Sequence, residues 1–200
     1  MYFYENFTLS NIKDIVTIIT LSTGAYVALK GLQTWKKQLK GSQNYNLAKS
    51  MLVNLYKYKE TINQFRHPAI WGNEYPEFAA EELKKMNAQE KSYQEKTHAY
   101  QKRWENIVQV KPLLLENLIE SQVLWGQDLQ TYFQQLFKLE FQLRTAITNY
   151  LQAIKPYSTK DNIDKDNELI WDTLSEDDPF RIKLNKVICE IEKQVKPYLH

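Results

Sequence analysis

The 200-residue chain has few of the residues that interrupt helices or cross-link a fold. It contains five glycines, six prolines and one cysteine, Cys189. Scarce glycine and proline predict few tight turns and long helices. A single cysteine excludes an internal disulfide framework and fits a reducing compartment. Cys189 follows Ile188 on the apolar side of a predicted helix, so we expect a buried, inert thiol rather than a nucleophile.

The sequence also lacks the motifs of common enzyme classes. It has no glycine-rich phosphate loop, no HExxH, no CxxC, no GxSxG, and no Arg-x4-6-His motif of the helical ribonucleases. The three histidines are widely spaced, and the acidic run at 161–168 lacks the mid-loop glycine of a calcium loop. We therefore predict that the protein is not an enzyme and needs no metal or cofactor.

One uncharged apolar stretch, "IVTIITLSTGAYVAL" at 15–29, dominates the amino-terminal region. Fifteen helical residues are only about 22 Å long, whereas the hydrocarbon core of a bilayer is about 30 Å thick. Counted over 12–35, with Lys30 snorkelling, the helix reaches about 36 Å and can span. The aromatic residues of "MYFYENF" would then lie at the interface. Two alternatives stay open: a core or interfacial helix, and a signal peptide, which would need a basic start that "MYFYENFTLS" lacks.

Charge is distributed unevenly around this stretch. Seven lysines and no acidic residue lie from Lys30 to Lys59, whereas acidic residues exceed basic ones over residues 60–200. A lysine-rich flank beside an apolar helix is typical of the cytoplasmic side of a membrane. This pattern predicts a protein of the bacterial inner membrane, with its amino terminus outside and most of the chain in the cytoplasm. The basic flank is expected to contact anionic lipid of the inner leaflet, and no nucleic-acid partner is expected. The predicted membrane anchor is Trp35, Lys36, Lys37 and Lys40.

Small residues recur along the apolar helix at steps of three and four. Because packing drives helix association in lipid, such a stripe favours close approach of a second helix. A homo-oligomer formed through this stripe is one hypothesis, and the ordinary abundance of small residues in membrane helices is the other. The stripe is Thr17, Thr20, Gly24, Ala28 and Gly31.

The remainder predicts an all-α fold with a cytoplasmic bundle of about four helices. Apolar residues recur at helical spacing in 45–66, which can continue directly from the membrane helix, and again in 92–110, 113–125, 127–154 and 179–195. Pro112 is expected at a helix boundary or in a first turn. Asp178 and Pro179 predict an N-cap and a first helical position. The predicted organisation is a stub at 1–11, a transmembrane helix at 12–35, a basic junction at 36–44 and the bundle at 45–200.

Arginine is rare, with four residues among 26 basic ones. Because arginine suits partly buried bidentate pairing, its positions mark either ion pairs inside the bundle or a pocket for a small anion. The residues concerned are Arg66, Arg103, Glu120, Glu140 and Arg144.

The segment "GAYVALKGLQTWKKQLKG", with "FRHP" and "KRW" downstream, resembles a loose group of short bacterial proteins of unassigned function. In that group an amino-terminal hydrophobic helix precedes a tryptophan-basic junction and a helical region. The resemblance implies bacterial origin and membrane attachment, and it brings no catalytic residues.

These features favour a membrane-anchored helical protein that acts as a binding, scaffold or effector module through protein–protein interaction. Two alternatives stay open. The first is a soluble helical interaction module with residues 12–35 buried in its core. The second is a membrane-perturbing toxin or phage-defence effector.

Overall fold

The computed structural model describes residues 9–158 and 167–199, with side chains from residue 12. The aromatic residues of the expected interface at 2–7 and the acidic residues Asp161, Asp164 and Asp166 lie outside these ranges. The described chain is all-α, as predicted, and no strand occurs within it. Its contacts divide it into two compact units, residues 1–45 and 46–200.

The described chain contains six α-helices and two short 3-10 turns. Helix α1 runs without interruption through the first unit and into the second, so the predicted continuation of the apolar helix is confirmed. The helices are α1 (Leu9–Phe65), α2 (Ala80–Lys85), α3 (Ala88–Trp125), α4 (Gln130–Ala153), α5 (Asn167–Ile170) and α6 (Pro179–Val195), with 3-10 turns at Gly72–Glu74 and Lys196–Leu199.

The second unit is an up-down-up-down bundle of the last turns of α1 with α3, α4 and α6. Contacts along the helices fix their directions. Asn54 of α1 donates to Asn117 of α3, whereas Phe65, further along α1, meets Tyr100, earlier in α3. The ring of Tyr100 in turn lies 6.2 Å from that of Tyr150, near the end of α4. Arg66, just after α1, pairs with Asp178 at the start of α6, whereas Tyr56, earlier in α1, is hydrogen-bonded to Glu192 near the end of α6. The four helices therefore alternate in direction along the chain.

The core forms where the apolar stripes of these helices meet. The stripe predicted on α1 is entirely buried, with each side chain at most 2% exposed: Ala48, Met51, Leu55, Tyr58, Ile62 and Phe65. Facing it are Ile107 and Leu114 from α3 and Phe133 and Leu143 from α4, each 0% exposed. Burying one such side chain is worth about 1.5–3 kcal/mol, so this shared core is the main stabilising term of the unit.

Local signals define several helix ends. Asp178 caps α6 by accepting a hydrogen bond from the Arg181 amide at 2.7 Å, and Pro179 opens the helix, as predicted. Gly126, with φ of +93°, ends α3 in a backbone region that other residues rarely adopt.

Two sequence predictions are wrong. Pro112 is not at a boundary but inside α3, which joins the separately predicted 92–110 and 113–125 segments. The ring removes one backbone donor, and its position on an exposed face lets water solvate the freed carbonyl. Cys189 is exposed rather than buried, because Ile188 and Ile191 take the core-facing positions of α6.

Candidate functional site

The apolar part of α1 is uncovered along its length in the described chain. Every side chain from residue 12 to residue 43 is exposed, including Ile18 at 63% and Leu21 at 68%. Soluble proteins rarely leave a continuous apolar surface of this kind in water. Within the described residues, α1 is the one helix long and apolar enough to cross a membrane, and none of its apolar window is buried.

The threonines of this helix satisfy their own hydrogen bonds. Thr17 donates to the Lys13 carbonyl, and Thr20 donates to the Val16 carbonyl, each at 2.8 Å. Thr23 does the same one turn later. A hydroxyl that is bonded within its own helix needs no water, so these residues are compatible with a hydrocarbon environment.

The small-residue stripe lies open on the same helix. Thr17, Thr20, Gly24, Ala28 and Gly31 are all exposed, and no atom lies within 4 Å of the position that a Cβ would take on either glycine. The backbone is therefore accessible for close approach along this stripe.

The expected anchor residues Trp35, Lys36, Lys37 and Lys40 are exposed along α1 immediately after the apolar stretch. The Lys30 ammonium lies 5.9 Å from the Tyr26 ring centroid, one turn back toward the amino terminus. Snorkelling of Lys30 toward the basic flank would thus require a different rotamer from the one in the structure.

Arg66, the residue after the end of α1, is buried together with its carboxylate partner. Its guanidinium pairs with Asp178, at 2.8 Å and 3.1 Å to the two carboxylate oxygens. It also donates to the carbonyls of Glu168, Leu169 and Trp171, which fixes α5 and the following loop against α1. Burial alone would raise the pKa of Asp178, but hydrogen bonds from Arg66, Arg181 and Thr173 hold it well below its usual range.

Arg103 makes a second cluster between α3 and the loop that follows α1. It contacts both oxygens of Glu74, at 2.6 Å and 2.8 Å, and donates to the carbonyls of His67 and Ala69. Burial opposes ionisation of Glu74, but the Arg103 and Trp71 hydrogen bonds outweigh it and lower the pKa of this carboxyl. Arg103 also borders an open cavity of about 460 Å³, yet its donors point at protein acceptors.

The other residues predicted to form ion pairs or an anion pocket differ in burial and in their partners. Glu140 is buried and accepts hydrogen bonds at 2.5 Å from Tyr58 and Lys111. Burial and the neighbouring Glu140 raise the pKa of Tyr58 far above its usual range. Arg144 is exposed, with its guanidinium 4.2 Å from the Trp104 ring centroid. Glu120 is exposed and forms no ion pair with any described residue.

The sequence does not indicate which carboxylates pair with Arg66 and Arg103. Glu74, the partner of Arg103, ends a 3-10 turn in a segment without a periodic pattern, and the Arg66–Asp178 pair joins positions 112 residues apart. The N-cap pattern at 178–179 was the one sequence signal for an acceptor, and it did not indicate which arginine would pair with it.

No group of three or more His, Cys, Asp or Glu residues that could hold a metal ion occurs in 9–158 or 167–199. No family model, curated protein or solved structure matches this chain.

Proposed function

We propose that the chain is a single-pass membrane protein in which residues 12–35 anchor a helical binding or scaffold module. The complete exposure of the apolar part of α1 is the observation that carries this proposal. A core helix of a soluble protein would bury at least one face, whereas this helix is apolar and uncovered on all sides.

The lysine distribution supports an orientation for this helix. Lys30, Lys36, Lys37 and Lys40 follow the apolar stretch, and no acid offsets them before Glu60. By the positive-inside rule, residues 46–200 then lie in the cytoplasm of a bacterial cell and the amino terminus lies outside. The anionic inner leaflet is the proposed lipid partner of the basic flank.

A binding or scaffold role fits the second unit better than catalysis. Its conspicuous buried charges, Arg66, Arg103 and Glu140, are engaged by protein groups and hold helices and loops together. The proposed partners are other proteins and a second copy of this chain, packed through the small-residue stripe of α1.

Alkaline carbonate extraction of membranes tests the anchor. We expect the full chain to stay in the membrane pellet and a variant lacking residues 2–35 to move to the supernatant. A Leu21→Lys variant places a charge in the middle of the apolar stretch, where it costs about 3 kcal/mol, and should be partly released. Release of the unmodified chain would contradict the proposal.

A further inference from the structure

A groove of about 350 Å³ lies between α4 and α6, apart from the arginine clusters. Lys138 contributes to it from α4, and Lys183 and Lys186 contribute from α6. Its volume is within the range of small-molecule sites, which is about 300–1,000 Å³.

The three lysines of this groove have no anionic partner in the part of the chain that the structure describes. All three are exposed, and none forms an ion pair with a described residue. Glu190, the one acid lining the groove, is held by Lys193 at 2.9 Å. Lys183 and Lys186 are also three residues apart on one helix, a spacing at which like charges repel. An anion in the groove would relieve this repulsion.

The groove also has apolar residues between its lysines. Leu139 and Val187 are half-buried and pack against the main core of the bundle. They present aliphatic surface to whatever occupies the groove. A ligand that carries both negative charge and an apolar group would match both kinds of lining.

We propose that this α4/α6 groove binds a phosphate monoester with an apolar substituent. The dianionic phosphate would lie among Lys138, Lys183 and Lys186, since lysine ammonium groups bind phosphate as mobile point charges. The substituent would rest on Leu139 and Val187. A lipid headgroup such as that of phosphatidic acid and a soluble phosphate monoester share this chemistry. The inference does not depend on residues 12–35 crossing a membrane.

Titration calorimetry with phenyl phosphate tests the site, using the full chain in a neutral detergent at low ionic strength. We expect the triple variant K138Q/K183Q/K186Q to weaken binding about tenfold or more, which corresponds to about 1.4 kcal/mol. The matched variant K84Q/K85Q/K155Q removes the same charge from exposed lysines elsewhere and should bind like the unmodified chain. Circular dichroism checks that both variants keep their helices.

Equal loss in the two triple variants would overturn the proposal, because net charge alone would then explain binding. Absence of phenyl phosphate binding to the unmodified chain would also overturn it. Inorganic phosphate should bind more weakly than phenyl phosphate, and equal affinity would remove the role of Leu139 and Val187.

Nanodiscs of phosphatidylcholine, with or without phosphatidic acid, distinguish the two sources. If the lipid headgroup fills the groove, phosphatidic acid should weaken phenyl phosphate binding to the unmodified chain at least tenfold. Unchanged affinity in the two kinds of disc would support a soluble phosphate monoester instead.

Discussion

At the scale of single residues, two buried arginines join the loops to the bundle. Arg66 is 1% exposed and Arg103 is 3% exposed, and each meets a carboxylate and several backbone carbonyls. Charges at such positions are costly unless their hydrogen bonds are complete. Each cluster therefore stabilises the second unit only while all of its hydrogen bonds are present.

Replacement of Arg103 by Met should destabilise the bundle strongly. Removing one member of a buried pair costs about 3–5 kcal/mol, because Glu74 would remain buried without its partner. The matched variant Arg144→Met, on the exposed surface over Trp104, should cost about 1 kcal/mol or less. Urea unfolding measures both. Similar losses in the two variants would contradict a structural role for the Arg103 cluster.

The carboxylate of Asp178 should make stability dependent on acid pH. Its pKa is lowered in the folded protein, so its stabilising contribution is complete above the unfolded value, about 4, and is lost as the pH falls below it. Asp178→Asn keeps a capping side chain but cannot ionise. The free energy of unfolding of the two proteins should differ at pH 6 and converge toward pH 2. If the two free energies of unfolding differ by the same amount at every pH, ionisation of Asp178 does not contribute to stability.

At the scale of elements, α3 contains an unusual proline. Pro112 lies inside a helix of 38 residues, at an exposed position, and deprives one carbonyl of its helical partner. Pro112→Ala should raise the free energy of unfolding by about 1–3 kcal/mol, since alanine restores the missing donor. Gln109→Ala, at another exposed position of α3, should change it by only a few tenths. Destabilisation by Pro112→Ala would mean that bundle packing requires the proline.

The small-residue stripe of α1 can be tested as a contact between two copies of the chain. If two copies pack through the small-residue stripe, Gly24→Ile should abolish the signal of a membrane two-hybrid assay by blocking close approach. Ala25→Ile adds a similar volume at a position outside the stripe and should leave most of the signal. An unchanged signal with Gly24→Ile would remove the stripe as a packing face.

The helices were more predictable from sequence than their ends and partners. The buried stripe of α1 from Ala48 to Phe65 followed from periodicity, because the residue spacing and the helical turn coincide. The helix boundary predicted at Pro112 is wrong, because an exposed helix face tolerates a proline that a buried face would not. The Glu74–Arg103 pair depends on how the segment after α1 folds back, which no local sequence pattern indicates.

At the scale of the whole molecule, an uncovered apolar helix precedes a helical bundle with its own core. Residues 12–43 are exposed, whereas the second unit has its own buried core around Leu55, Phe133 and Ile191. A membrane would cover the first surface and leave the second unit in water. By the positive-inside rule, the lysines after the apolar stretch then predict that residues 46–200 lie on the cytoplasmic side of this membrane.

Cysteine accessibility in intact bacterial cells tests this topology most directly. Cys189 is the one cysteine of the chain and is exposed, so a membrane-impermeant maleimide can report its compartment without further engineering. If residues 46–200 are cytoplasmic, Cys189 should stay unlabelled in intact cells and be labelled after lysis. A Ser10→Cys variant in a Cys189→Ser background should be labelled in intact cells. Equal labelling of Cys189 before and after lysis would contradict a cytoplasmic bundle on a single membrane span.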